Sequence, residues 1–306
     1  MNIAKSLIRY CTDVDYRFIF NTGKGLYRNM PDREFLRRRF HAAQGYYMDF
    51  DDPRTFSEKL QWLKLYDRDP RYTSYVDKVE VKRIVEEKAG SGYIIKTLKV
   101  WDNADDIDLG ELPDRFVLKC THDSHGVLIC DGRDTPDITK IRSQFRKALE
   151  SDYYLRFREW PYKNVRHRVF AEEFVSNNGE ELTDYKIHCF NGQPRMILVC
   201  AGRYSEDGLT EDFYDCEWNR LDIRRPKVPN AKMPHERPEH LEEMLEISRK
   251  LAKDIPFVRV DLYISDSKIL FGEMTFFPAS GFTPFVPNEW DLKIGNWLEL
   301  PNDRKG

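Results

Sequence analysis

The stretch 257–281, FVRVDLYISDSKILFGEMTFFPASG, decides how this chain reads. Its apolar residues alternate on either side of a short polar turn, so the spacing predicts two strands of a hairpin. Successive side chains on a strand point to opposite faces. Val258, Val260, Leu262 and Ile264 therefore share one face and Arg259 and Asp261 the other, and on the second strand Leu270 and Met274 part in the same way from Phe271, Glu273 and Thr275. Carboxylates among apolar neighbours carry a desolvation cost on the order of several kcal/mol. A divalent cation between Asp261 and Glu273 offsets that cost, and so does an ion pair from Arg259 to either acid; alternation alone leaves both open. A shared metal needs both acids on one side of the sheet. Simple direct pairing then calls for an odd number of turn residues between Ile264 and Leu270, and a two-residue turn at Asp266 and Ser267 would send the acids to opposite faces.

Outside this hairpin, 306 residues suffice for two domains or for one domain in two lobes, and 41% hydrophobic with 33% charged residues suits a globular protein. No window approaches the ~20 apolar residues of a membrane-spanning helix, and MNIAKSLIRY lacks a secretory apolar core, so a cytoplasmic location is expected. Cys11, Cys120, Cys130, Cys189, Cys200 and Cys216 are scattered without a CxxC, which predicts reduced thiols rather than disulfides or a zinc site. The net charge of −3 hides a basic end: residues 1–40 hold nine Lys and Arg against four Asp and Glu. That is too local for a nucleic-acid-binding face, so no nucleic-acid partner is expected. It does suit salt-sensitive attraction to the inner membrane or to a polyanionic glycan.

Residues 1–75 read as a mostly helical region. Asp32 is placed to cap a helix through REFLRRRFHAAQGYY, with Arg37, Arg38 and Arg39 either on a solvated face or against an anionic surface or substrate. Thr55 and Glu58 form a capping-box pattern before an apolar stripe of Phe56, Leu60 and Leu63. Beyond Tyr75 come a charged helix ended by Gly90 or Gly92, a strand in YIIKTLKVWD, and RFVLKCTHDSHGVLIC as strand, polar loop and return strand. Lys119 shares a face with Val117, where an inward lysine invites an anion such as phosphate; an edge lysine that deters aggregation is the plainer reading. Residues 137–160 read as helical and RVFAEEFV as a strand before an NNGEE turn. DYKIHCFNGQPRMILVCAGRY is a hairpin turning at Asn191 and Gly192, with Asp184, Lys186 and His188 on one face and Arg203 at its end. A loop rich in Pro and Lys follows, then an amphipathic helix in PEHLEEMLEISRKLAKDI. His122 and His125, three apart with no third ligand nearby, fit a loop that touches phosphate or solvent better than a metal site.

In this order the pieces resemble the ATP-grasp fold. FVLKCTHDS, DYKIHCFNG and FVRVDLY with FGEMTFFPASG resemble, more narrowly, the TupA-like ATP-grasp proteins of bacterial surface-polysaccharide gene clusters, over about residues 50–300. The resemblance implies an α+β protein with two lobes holding nucleotide between antiparallel sheets. The division is residues 1–75 as the helical region, 76–175 as the N-lobe and 176–306 as the C-lobe with the metal site. It implies that Lys78 and Lys119 hold the phosphates of ATP, under a loop at 121–126 that includes Thr121, Ser124 and Gly126. Glu172, Glu173, Phe174 and Val175 would form the adenine-reading hinge, and Asp184 would reach the ribose. Lys186, Arg203 and Arg259 would attend the reacting groups, while Asp261 and Glu273 hold Mg²⁺. Thr275 stands where the family's third metal ligand is usually Asn.

The implied activity is an ATP-dependent carboxylate–amine ligase that forms an amide through an acylphosphate. Its implied partners are a uronic acid of a capsular or cell-wall polysaccharide and an amino acid or other amine. A glycosyltransferase would want a DxD motif after a strand, whereas Asp13-Val14-Asp15 lies in a helical context. A sugar kinase would use the same nucleotide site. A sugar-binding module would not need inward acids and lysines on several strands.

Overall fold

The computed structural model describes residues 3–123, 126–132, 137–176, 182–203, 205 and 208–302. The chain opens with helices α1 (Ile3–Thr12), α2 (Val14–Gly23) and α3 (Asp32–Gln44). Asp32 does not cap α3: Pro31 occupies that position without a side-chain bond, and the Asp32 carboxylate instead binds Arg68, Tyr154 and Arg158. Helix α4 (Phe56–Tyr66) starts at the expected capping box, the Thr55 hydroxyl accepting from the Glu58 amide and Glu58 accepting from the Thr55 amide. After α5 (Arg71–Val76), α6 (Glu80–Ala89) ends at Gly90, whose φ of 112° suits glycine alone.

A four-stranded antiparallel sheet follows, built from β1 (Thr97–Trp101), β2 (Arg115–Cys120), β3 (Val127–Asp131) and, after α7 (Ile138–Leu149) and α8 (Tyr153–Phe157), β4 (Val169–Glu173). Its order is β1-β4-β2-β3. The single helical stretch expected over 137–160 is thus two helices, and the expected NNGEE turn lies outside the described residues. One face of the sheet buries Phe116, Leu118, Cys120, Val169 and Ala171 against Ile141 and Phe145 of α7. The opposite face carries Val117, Lys119, Phe170 and Glu172.

The second sheet contains β5 (Asp184–Phe190), β6 (Gln193–Ala201) and β7 (Thr210–Tyr214), and, after α9 (Leu241–Leu251), β8 (Phe257–Ser265) and β9 (Lys268–Thr275); α10 (Glu289–Gly295) closes the fold. Its order is β7-β6-β5-β8-β9, all antiparallel. Strand β7 lies in the segment expected to be loop, because its TEDFY is short and has little alternation. Helix α9 covers one face with Leu241, Met244, Leu245 and Leu251 against Val258, Val260 and Leu262. This same core takes in Phe56, Leu60, Trp62 and Leu63 of α4 and Tyr72, Tyr75 and Val76 of α5. A separate cluster joins Phe18, Phe35, Leu36, Phe40, Met48 and Phe50 to Leu65 and to Phe282, which lies beyond β9.

Candidate active site

The deciding hairpin turns through Asp266 and Ser267, both at positive φ, with Ser265 paired to Lys268. This is the two-residue turn expected to separate the two acids, yet Asp261 stands directly opposite Glu273. The register shifts between Asp261 and Leu262: Leu262 faces Phe271, so Gly272 is an extra residue absorbed as a bulge. The bulge also corrects the expected faces of β9. Phe271 and Met274 both lie on the core side, paired with Leu262 and Val260, while Leu270, Glu273 and Thr275 face the other way with Tyr263, Asp261 and Arg259. Glycine is required here because a Cβ at 272 would lie 2.7 Å from the Tyr263 ring and 3.2 Å from the Asp261 carbonyl oxygen.

Strand pairing then sets the polar face in rows. Lys186 of β5 lies opposite Asp261, and His188 opposite Arg259. The Arg259 guanidinium grips both oxygens of Asp261, Nε to Oδ1 at 2.6 Å and Nη2 to Oδ2 at 2.7 Å, and also donates to Thr275 Oγ1 at 3.0 Å. Lys186 Nζ adds a bond to Asp261 Oδ2 at 2.7 Å and lies 3.3 Å from Asp184 Oδ2, which Arg203 reaches at 3.4 Å. Burial works to raise the Asp261 carboxyl, but the charges of Arg259 and Lys186 outweigh it and hold the group below its usual value. Burial and the neighbouring arginine push His188 well below its usual range, so it is a neutral imidazole.

The first sheet carries a matching pair on the face it shares with Val117 and Phe170. Glu172, buried, is held by Lys119 and by Lys82 of α6 at 3.1 Å; burial raises its carboxyl, and the two lysines more than offset this. Lys82 also donates to the Ile95 carbonyl at 2.7 Å and the Thr97 hydroxyl at 2.8 Å. Sequence reading passed over it because it lies among ordinary surface charges in VEVKRIVEE; its only signal is its place beside the buried Val81, Ile84 and Val85. Lys78 joins the two halves, donating to the Asp123 carbonyl at 2.6 Å and lying 3.8 Å from Glu273. It is positioned by Asp77, whose carboxylate accepts from the amides of Val79 and Glu80 and pairs with Arg168.

The remaining expected residues separate into those beside these groups and those turned elsewhere. Thr121 is fully buried, its hydroxyl bonded to the Arg166 carbonyl at 2.7 Å, and Gly126 accepts from the Cys120 amide at 3.0 Å. Ser124 and His125 lie outside the described residues. His122 is buried and stacked on His167 at 3.6 Å, and burial holds it below its usual pKa. Glu173 points away from Glu172 toward Lys96 at 3.8 Å, Phe174 lies under the Arg115 guanidinium, and Val175 is half-buried.

Behind Glu273 lies a buried network that the sequence did not announce. Lys64 Nζ of α4 donates to the Ser280 carbonyl at 2.8 Å, Gln61 Nε2 donates to the carbonyls of Ser280 and Gly281 at 3.1 Å, and the Ser280 hydroxyl donates to Glu159 at 2.5 Å. Ala279 and Ser280 both have positive φ, so this grip holds an uncommon left-handed backbone just beyond Thr275. Burial pushes the Lys64 ammonium below its usual value and the Glu159 carboxyl above its own.

Among the described residues no group of three or more His, Cys, Asp or Glu is arranged to hold a metal. The donor set at the end of the hairpin, two carboxylates and a hydroxyl on one face, nonetheless suits a hard cation that completes its shell with phosphate oxygens and water. Nucleotide also fits the charge. Lys78, Lys82, Lys119, Lys186, Arg203 and Arg259 are six cations against the four acids Glu172, Asp184, Asp261 and Glu273. Val127 and Ile129, 42% and 45% exposed on the Lys119 side of β3, offer apolar surface for a base.

Two antiparallel sheets with lysines on one and an Arg-x-Asp plus Glu pair on the other define the ATP-grasp class. The chain belongs to the TupA-like ATPgrasp family, which it matches over residues 58–299. Among solved structures it is similar to D-alanine–D-alanine ligase from Bacillus anthracis complexed with ATP, at 15% identity and a TM-score of 0.38, over 66% of this chain and 54% of that one. It is also similar to D-alanine–D-alanine ligase from Helicobacter pylori, at 15% identity and 0.41 over 79% and 69%, and to a RimK domain ATP-grasp protein from Sphaerobacter thermophilus, at 11% and 0.42 over 76% and 70%. The chain thus spans about half the length of the first of these structures. No curated protein matches it by sequence.

Proposed function

We propose that this protein is an ATP-dependent carboxylate–amine ligase. The observation that carries the reading is the facing of Asp261 and Glu273 across a bulge, beside Arg259 and Lys186 and within reach of Lys78. A substrate carboxylate oxygen attacks the γ-phosphorus of ATP, the bond to the bridging oxygen breaks, and ADP leaves. An amine nitrogen then attacks the acylphosphate carbon, losing a proton as inorganic phosphate departs. Both steps crowd anions together, so their demand is fixed positive charge rather than a side-chain nucleophile. Lys78, Lys119 and Lys186 would hold phosphate oxygens, and Arg259 would steady charge at the transferred group; the support is their position beside Asp123, Glu172 and Asp261. Mg²⁺, held by Asp261 and Glu273 with Thr275, would supply Lewis-acid neutralisation of the terminal phosphates.

For the substrates we propose a uronic-acid carboxylate of a surface polysaccharide or its precursor, and an amino acid or other amine. What suggests them is the resemblance of FVLKCTHDS, DYKIHCFNG and FVRVDLY to proteins of bacterial surface-polysaccharide gene clusters. Protein incubated with Mg²⁺ and ATP is expected to release ADP over many turnovers only when both glucuronate and an amino acid are present. A stable phosphosugar would favour a kinase instead, and binding of a UDP-sugar but not of ATP would sink the reading.

We further propose that the protein works against an anionic membrane surface. No helix among the described residues is long and apolar enough to cross a membrane. Leu7 and Ile8 of α1 are 64% and 63% exposed, and Leu26 is also exposed, next to the basic Arg9, Arg17, Lys24 and Arg28. Sedimentation with phosphatidylglycerol vesicles is expected to carry the protein down at low salt and to weaken roughly tenfold at several hundred millimolar NaCl. Binding that ignores salt, or equal binding to phosphatidylcholine vesicles, would rule this out.

A further inference from the structure

The three arginines 37–39 of α3 meet three different aromatic rings. Arg37 lies over Tyr47, Arg38 over Phe18, and Arg39 over Phe282 at 5.2 Å. Stacking serves the face of a guanidinium and leaves its edge N–H groups to find acceptors. For Arg39 that need is unmet: Nε is buried without a hydrogen-bond partner. Other arginines with a buried Nε in this state have compensation, Arg158 from Asp32, Arg168 from Asp77 and Arg142 from the Ile107 carbonyl. Arg39 makes no ion pair among the described residues, and neither does the exposed Arg156 of α8.

Instead Arg39 is surrounded by like charge. Burial and the charge of Arg156 push it down to about 10, and it in turn acts on Lys64, whose ammonium lies 4.5 Å from the same Phe282 ring. The acids nearby are already engaged: Glu159 accepts from Ser280 and offsets Lys64, and Asp32 is held by Arg68 and Arg158. Arg156 lies over the ring of Phe157 at 5.1 Å, and Phe157 packs into the same cluster as Phe282, so both guanidinium groups stand at the junction of α3, α8 and the loop that leaves β9 after Thr275.

We propose that Arg39 and Arg156 form a subsite for an oxyanion, a carboxylate or phosphate carried by the substrate at a distance from its reacting carboxylate. An oxyanion accepts from the edge of Arg39 and neutralises both arginines, as paired guanidinium forks commonly do. Its assignment to the substrate rests on the ligase reading; the binding itself does not. The helical region would then contribute a specificity contact, one that favours polyanionic over singly charged acids.

Thermal unfolding with glucuronate and with inorganic phosphate tests the subsite without any turnover. A saturable rise in the unfolding midpoint is expected with at least one probe, and at least tenfold weaker binding in Arg39→Gln and in Arg156→Gln. Arg156 is exposed, so its variant keeps the test alive should Arg39→Gln fail to fold. A response to glucuronate alone points to a sugar-acid carboxylate, and a response to phosphate alone to a sugar phosphate. No saturable response, or one that Arg156→Gln leaves unchanged, overturns the proposal. MgATP run in parallel separates the two readings: no midpoint shift with MgATP in any variant would defeat the ligase reading while leaving the oxyanion result to stand.

Discussion

Glu273→Gln is expected to lower Mg²⁺-dependent ADP release by at least ~100-fold, the scale of removing one group that stabilises transferring charge, while leaving the protein folded. The side chain is partly exposed and its ion-pair contacts are long, 3.5 Å to Arg259 and 3.8 Å to Lys78, and the bond it accepts from the Thr275 hydroxyl at 3.2 Å can also be accepted by an amide oxygen, so the fold depends on the charge little. Asp261→Asn should behave differently. Asp261 is the buried carboxylate between Arg259 and Lys186, and removing its charge leaves these two cations with only their longer contacts to Glu273 and Asp184, a loss of about 3–5 kcal/mol. Urea unfolding beside an ADP-release assay checks both variants. Full turnover in Glu273→Gln would take that residue out of the metal site, and an unchanged unfolding midpoint in Asp261→Asn would mean that the arginine–aspartate grip contributes nothing to the fold.

Gly272→Val is expected to cost about 1–3 kcal/mol or more through overpacking and to take turnover down with it, because the new side chain must displace the Tyr263 ring and the Asp261 carbonyl. Deleting Gly272 is expected to be milder. Without the extra residue, Phe271 still faces Leu262 and Glu273 then falls opposite Asp261 in an unbroken ladder. Thermal midpoints and ADP release of the two variants decide the point. If the deletion loses as much activity as the valine, the bulge matters for the twist it imposes and not for the facing it preserves.

Reading the sequence went furthest where a pattern is local. The faces of β8, the capping box at Thr55 and Glu58, the Asn191-Gly192 turn and the stripe of α9 are each set by neighbours in the chain, and each has the expected form. The α+β architecture with two antiparallel sheets is what the family resemblance implied, and the structure has it. The bulge was not legible, since glycine inside a strand is compatible with a regular ladder until the partner's register is known. Nor was the role of Asp32, an apparent helix cap whose carboxylate is taken by Arg158 from more than a hundred residues away. Lys82, Lys64 and Glu159 were missed for a related reason: a charged residue on a helix or loop reads as solvated unless something distant is known to bury it.

The grip of α4 on the loop after β9 bears on where this protein can be divided. The family match begins at residue 58, inside α4, two residues past Phe56 at its start and three past the Thr55 cap. Helix α4 supplies Leu60 and Leu63 to the core of the second sheet, and its Lys64 and Gln61 hold Ser280, while Phe282 rests among Phe35, Leu36 and Phe40 from upstream. The smallest portion that can be cut out and still hold the loop after β9 is therefore larger than the portion that matches the family. A fragment trimmed to the family boundary would lose the floor under Phe282, and a chimera that exchanges only the recognised part would set a foreign floor beneath it.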